Sequence, residues 1–233
     1  MPCTVRQPEK WTINKFKYLY TTLKQPLFYP CKTVTLSPFC AHQLHTEHIM
    51  LNLTNHFLIA TPDLEDSLFS GSLVYICEHT SDGAMGLIVN KPSPIGMEIV
   101  FAGAGCKHIP KKYMSEFVMM GGPVQPERGF VLHTPVGNWQ STLTVNEHNG
   151  VTTSRDIIDS LTKDETVQHA LLTIGYSSWT GGQLEREIAE NSWLTVAADN
   201  QILFHTPIAE RHQAALNKLG ITQTNLMNGI GHA

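Results

Sequence analysis

Two runs of strand-forming residues, SLVYICEH (Ser72–His79) and MGLIVN (Met85–Asn90), stand on either side of the short segment TSDGA. Aliphatic and β-branched side chains dominate both runs. An Asp-Gly pair such as Asp82–Gly83 supplies the positive φ that a tight hairpin turn requires. The spacing therefore predicts an antiparallel hairpin whose apolar faces the rest of the chain has to cover. Asn90-Lys91-Pro92 closes the second strand, because proline offers no amide hydrogen to a ladder.

Further strands are expected at Asn55–Ala60, Glu116–Met120, Gly129–Thr134, Leu143–Asn146 and Ala170–Ser177. A second hairpin is expected from Trp193–Ala197 and Gln201–His205, turning at Asp199–Asn200. Helical patterns intersperse these strands. Asp63–Ser70 reads as a polar helical turn, Ile95–Ala102 as a short helix and 103–113 as a loop. Thr153-Ser154-Arg155-Asp156 has the form of a capping box, followed by Ile157, Ile158 and Leu161. Thr180-Gly181-Gly182-Gln183 repeats that form ahead of Leu184 and Ile188. Pro207–Leu219 carries Ile208, His212, Ala215, Leu216 and Leu219 on one face, with Gly220 as the stop. The sum is an α+β fold: a mixed sheet or partly closed β-barrel with peripheral helices.

The chain has 233 residues, 42% hydrophobic and 15% charged, enough for a sizeable core. No apolar run approaches the roughly 18 residues of a membrane span, and no signal peptide opens the sequence, so no membrane association and a cytoplasmic location are expected. Residues 1–49 hold six Lys and Arg against two Asp and Glu, whereas 50–233 hold ten against eighteen. We read 1–49 as a basic, disordered extension and 50–233 as a single domain whose ordered apolar pattern starts at MLNLTNHFLIA. Cys40, His42, His45 and His48 make a histidine-rich string in that extension, without the separate supporting elements that zinc sites use. The acidic main body makes direct nucleic-acid binding an unfavourable reading. Five cysteines without a CxxC pair suit buried thiols in a reducing compartment.

The blocks HFLIATPDLEDSLF, YICEHTSDGAMGLIVNKP, GGPVQPERGFVLH, TTSRDI, GY–W–GGQLE–EIAENSWL and the terminal GHA resemble the AlgH/YqgE family of bacterial proteins. The resemblance covers nearly all of 51–233 and none of 1–49. It implies a compact α+β domain on a barrel-like mixed sheet, cytosolic, with no agreed biochemical activity. The transcriptional-regulator label of one branch describes a phenotype rather than a chemistry. In this chain Ser177–Ser178 stand where the family commonly has small apolar residues.

Candidate sites follow from residue chemistry. Gly121 and Gly122 in GGPVQPERGF could present consecutive amides to an anion, with Arg128 adding a fork of donors and His133 further along the strand. The competing reading is a strand-to-strand corner stiffened by Pro123 and Pro126, and it is the first expectation. Gly181 and Gly182 would expose a helix N-terminus, with Trp179 available to stack on a flat ligand. GYSSWTGG departs from G-x-S-x-G at Trp179, so a serine nucleophile elbow is not expected at Ser177 or Ser178. Cys77-x-His79 and Cys106-x-His108 lack usual zinc spacing. Without a P-loop, Rossmann glycine pattern or HExxH, no cofactor is expected. A ligand site, if present, is expected where GGPVQPERGF approaches the TGGQLE helix, taking an anionic small molecule. A protein partner is the other expectation. The functional expectation is a non-enzymatic regulatory or ligand-binding protein, the alternative an enzyme acting on an anionic or nucleotide-like molecule.

Overall fold

Alternation with period two runs through the strands of the computed structural model and assigns each face of its sheet to a different core. Residues 52–64, 66–106, 108–163 and 166–221 are described, so the 1–49 extension and the terminal GHA lie outside the described residues. The strands are β1 (His56–Ala60), β2 (Leu73–Thr80), β3 (Gly83–Ile88), β4 (Pro92–Gly96), β5 (Phe117–Met120), β6 (Val124–Thr134), β7 (Thr142–Thr144), β8 (Gly150–Thr152), β9 (His169–Thr180) and β10 (Trp193–Ala197). The helices are α1 (Met97–Gly103), α2 (Asp156–Lys163), α3 (Gln183–Ala189) and α4 (Arg211–Lys218).

Among the described residues these strands form a curled, ten-stranded half-barrel in the order β10-β1-β2-β3-β9-β6-β8-β7, with β5 joining β4 to β9. Every pairing is antiparallel except β5 with β9. The α+β class and the partly closed mixed sheet expected from the sequence are what the chain forms.

Phe57, Ile59, Leu73, Tyr75, Leu132 and Leu171 point to one face, where α4 and the segment before it cover them. Their neighbours point the other way. Leu58, Val74 and Ile76 pack with Leu184 of α3, Trp179 and Trp193, while Val131 and Leu172 pack against α1 and α2. Burial on both faces is why LVYIC reads as an unbroken apolar run.

The β2–β3 hairpin forms as expected, with Thr80 paired to Gly83, whose φ is +143°. Four local expectations need correction. Asp63–Ser70 forms turns, not a helix, held by Asp66 Oδ1, which accepts the Leu68 amide at 2.7 Å. Pro92 opens an additional strand rather than only ending one; β4 pairs with β5 alone, the edge position proline tolerates. Thr153 does not cap α2: its hydroxyl accepts from Arg128 Nη2 at 3.1 Å, and Asp156 Oδ1 accepts the Ile157 amide instead. Gln201–His205 is a π-helical turn, not a strand. Asp199 Oδ1 accepts the Ile202 amide at 2.9 Å and coils the chain, so β10 pairs with β1 and the hairpin expected across Asp199–Asn200 does not form.

Candidate functional site

The GGPVQPERGF stretch is built as a corner. β9 pairs with β5 at Thr173–Ile174 and with β3 from Ser177 to Thr180, on either side of a kink at Gly175, whose φ is +69°. Gly121 fills the gap between β5 and β3. Its amide donates to Ile174 O at 2.8 Å, and its carbonyl accepts from Ile88 N at 2.9 Å and Ser177 Oγ at 3.2 Å. A Cβ on Gly122 would collide with the Tyr176 carbonyl, and one on Gly175 with the Gly122 carbonyl. These glycines are required because two backbones touch. The Gly121 amide is committed within the sheet and is not offered to an anion.

Other residues singled out from sequence are also held by the chain. Arg128 donates to Gln125 Oε1 at 3.3 Å and to Thr153, and lies 5.5 Å from the Phe130 ring centroid. His133 is fully buried. Its Nδ1–H donates to Pro135 O at 3.0 Å and its Nε2 accepts from Thr152 Oγ1 at 2.9 Å; burial holds its pKa below the ordinary histidine range. It cannot touch a ligand without opening the core. Ser177 is likewise buried, its hydroxyl spent on Gly121, which excludes an exposed nucleophile. Cys77 lies in the core, where burial pushes its thiol upward. His79 accepts the Leu53 amide at Nδ1 and therefore donates from Nε2 to Glu185 at 3.0 Å.

Trp179 leads to a cleft of about 320 Å³, bounded by Phe69, Pro123, Gln183, Glu187 and Trp193 as well. Glu187 Oε2 accepts both indole N–H groups, from Trp179 at 2.8 Å and Trp193 at 2.9 Å, while Oε1 accepts from Gln183 Nε2 at 2.9 Å. Pro123 of the GGPVQPERGF stretch and Gln183 at the start of α3 both line this cleft. Arg128, His133, Gly181 and Gly182 do not line this cleft. Gly181 packs against Ser81 O, and Gly182, at φ +74°, starts α3 beside Arg186. The lining includes the carboxylates of Asp66 and Glu187 and no cation, so it repels an anion. An anionic ligand is therefore disfavoured at this place.

A second cleft has the opposite charge, and sequence reading did not single out its residues. It encloses about 520 Å³ between the 3₁₀ turn at Lys111–Tyr113, the start of β9, the π-helical turn and the first residue of α4. Arg211 forms part of its wall and is only 5% exposed. Nε donates to Thr206 O at 3.0 Å and Nη1 to Val89 O at 2.6 Å. Among the described residues no carboxylate stands within ion-pairing distance of it. Burial lowers its pKa to about 10, against the pull of Glu116, so it stays charged at neutral pH. It also opens α4, where the helix dipole disfavours a cation.

Around Arg211 stand Lys112, His169 and His205, with Glu116 as the one carboxylate in the lining. The two imidazoles meet edge to face at 4.4 Å, and His169 stacks on Phe204 at 5.8 Å. Burial, then the nearby His205 and Lys112, hold the His169 pKa low. The signal was present in the sequence: Arg211 precedes Ala215 by four residues and so lies on the apolar stripe of the last helix.

A curled half-barrel with short helices on both faces is the class of architecture that the described residues define, and an acidic and a basic cleft open on it. The chain belongs to the AlgH-like family, whose model matches residues 57–224. A UPF0301 protein of Neisseria meningitidis serogroup B is 55% identical over 183 residues, 78% of this chain and 100% of its own length. One from Laribacter hongkongensis is 45% identical over 183 residues, again 78% of this chain and 98% of its own. The solution structure of the AlgH protein from Pseudomonas aeruginosa superposes with a TM-score of 0.64 at 38% identity, covering 78% of this chain and 96% of that one. Protein DIP2367 from Corynebacterium diphtheriae shares the fold at 16% identity and a TM-score of 0.56, covering 71% and 86%. Among the described residues no helix is long and apolar enough to cross a membrane.

Proposed function

We propose that this AlgH-like chain is a non-enzymatic ligand-binding protein of regulatory role, and that its ligand is a small anion held in the Arg211 cleft. The observation that carries this reading is Arg211 itself: a buried guanidinium with no carboxylate in ion-pairing distance among the described residues, placed at a helix N-terminus on the wall of a cavity. Burying a charge costs several kcal/mol, on the order of what ion pairing can return. A chain that leaves the pair incomplete has a counter-ion to gain from outside. Two of its donors grip backbone carbonyls and fix the guanidinium in place, so little ordering is left for binding to impose.

A regulator that itself grips DNA is a poor fit, since α3 carries Glu185 and Glu187 against Arg186, with Glu190 directly after it. The test is thermal denaturation with inorganic phosphate, pyrophosphate and chloride at constant ionic strength. The reading expects phosphate or pyrophosphate to raise the melting temperature in the intact chain and not in Arg211→Met. Equal shifts in both proteins would overturn it.

A further inference from the structure

Resting on the anion reading of the Arg211 cleft, we infer that its ligand is a phosphomonoester carrying a flat ring, and that binding draws a proton onto His169. Three features of the lining lead there.

The first is donor inventory. Arg211 and Lys112 are donors only, and neither imidazole has a hydrogen-bond partner in the chain among the described residues. Lys112 Nζ donates to Val167 O at 3.3 Å and has further hydrogens to give. A set this rich in donors matches a group that offers three acceptor oxygens better than one offering two.

The second is charge. The fixed charges facing the cleft are Arg211 on α4 and Lys112 on the 3₁₀ turn against Glu116 ahead of β5, one net positive. A monoanion neutralises that excess. A dianion overshoots by one, and His169 on β9, in edge-to-face contact with His205, is placed to take up the compensating proton. Burial and the neighbouring His205 and Lys112 disfavour that proton. An arriving dianion reverses the sign of the local field and favours it.

The third is the aromatic rim. Phe117 lines the cleft and is 50% exposed, and half-buried Phe204 lies beneath His169. An aromatic ring beside a phosphoryl site is a stacking platform. The volume of about 520 Å³ admits a ring as well as a phosphoryl group.

The experiment is isothermal titration of the full chain with phenyl phosphate, inorganic phosphate and benzoate in buffers of different ionisation heat. It is run at about pH 7.5, where a phosphomonoester is mostly dianionic. Phenyl phosphate is expected to bind at least about tenfold tighter than either fragment, with net proton uptake. His169→Asn should abolish the uptake, and Phe117→Ala should bring phenyl phosphate close to inorganic phosphate. Binding of inorganic phosphate that depends on Arg211 but gains nothing from the ring, or takes up no proton, would overturn this inference while leaving the anion reading in place. Failure of every anion to bind would overturn both.

Discussion

At the corner joining β3, β5 and β9, Gly121, Gly122 and Gly175 stand out in the sequence, yet their environment closes on itself. The Gly121 amide and carbonyl are both bonded within the sheet, and the space a side chain would need is filled by backbone. At the basic cleft the reverse holds. Arg211 is unremarkable in sequence, but among the described residues no carboxylate pairs with its buried charge. The lesson is physical: a glycine reports how closely two backbones approach, whereas an unfinished charge reports what can be added.

The sharpest way to break this contrast is Gly122→Val. Its side chain would meet the Tyr176 carbonyl at a φ of +151°, so we expect a loss of more than about 4 kcal/mol and an unfolded or aggregated product. A soluble variant with near-native denaturant midpoint would show that the corner tolerates separation.

Acidification should act on the whole fold. His133, His169 and His212 are each held below the ordinary histidine range, by burial first in every case. Folded, they bind fewer protons than unfolded, so their contribution is fully present above about pH 6.5 and is lost as pH falls through their lower folded values. Urea midpoints should therefore be lower at about pH 5 than at about pH 7.5; equal midpoints would count against the burial argument.

Glu187→Gln removes the charge from three hydrogen bonds, those from Trp179, Trp193 and Gln183. A cost of about 2 kcal/mol and a changed near-ultraviolet dichroism are expected, without effect on phosphate binding. The smallest effect belongs to Ser177→Ala. It removes one donor from Gly121 O, which keeps its bond from Ile88, so the cost should stay below about 1 kcal/mol in denaturant titration.

The sheet was largely legible because burial on both faces leaves unbroken apolar runs in LVYIC and FLIA and a buried FVLH. Short pieces were less so. PSPIG contains two prolines and became a strand only because an edge spares the missing amides. QILFH is apolar enough for either a strand or a helix, and a single Asp199 cap decides between them. The candidate site was least legible. Its lining comes from segments near 112, 169 and 205–211, and no local pattern announces that they converge.

Amide chemical-shift mapping with phosphate titrated into the labelled full chain tests the central contrast most directly. The largest changes are expected in 112–117, 168–171 and 203–211, and they should vanish in Arg211→Met. Changes centred on 121–129 or 180–183, with the Arg211 segment undisturbed, would contradict that contrast.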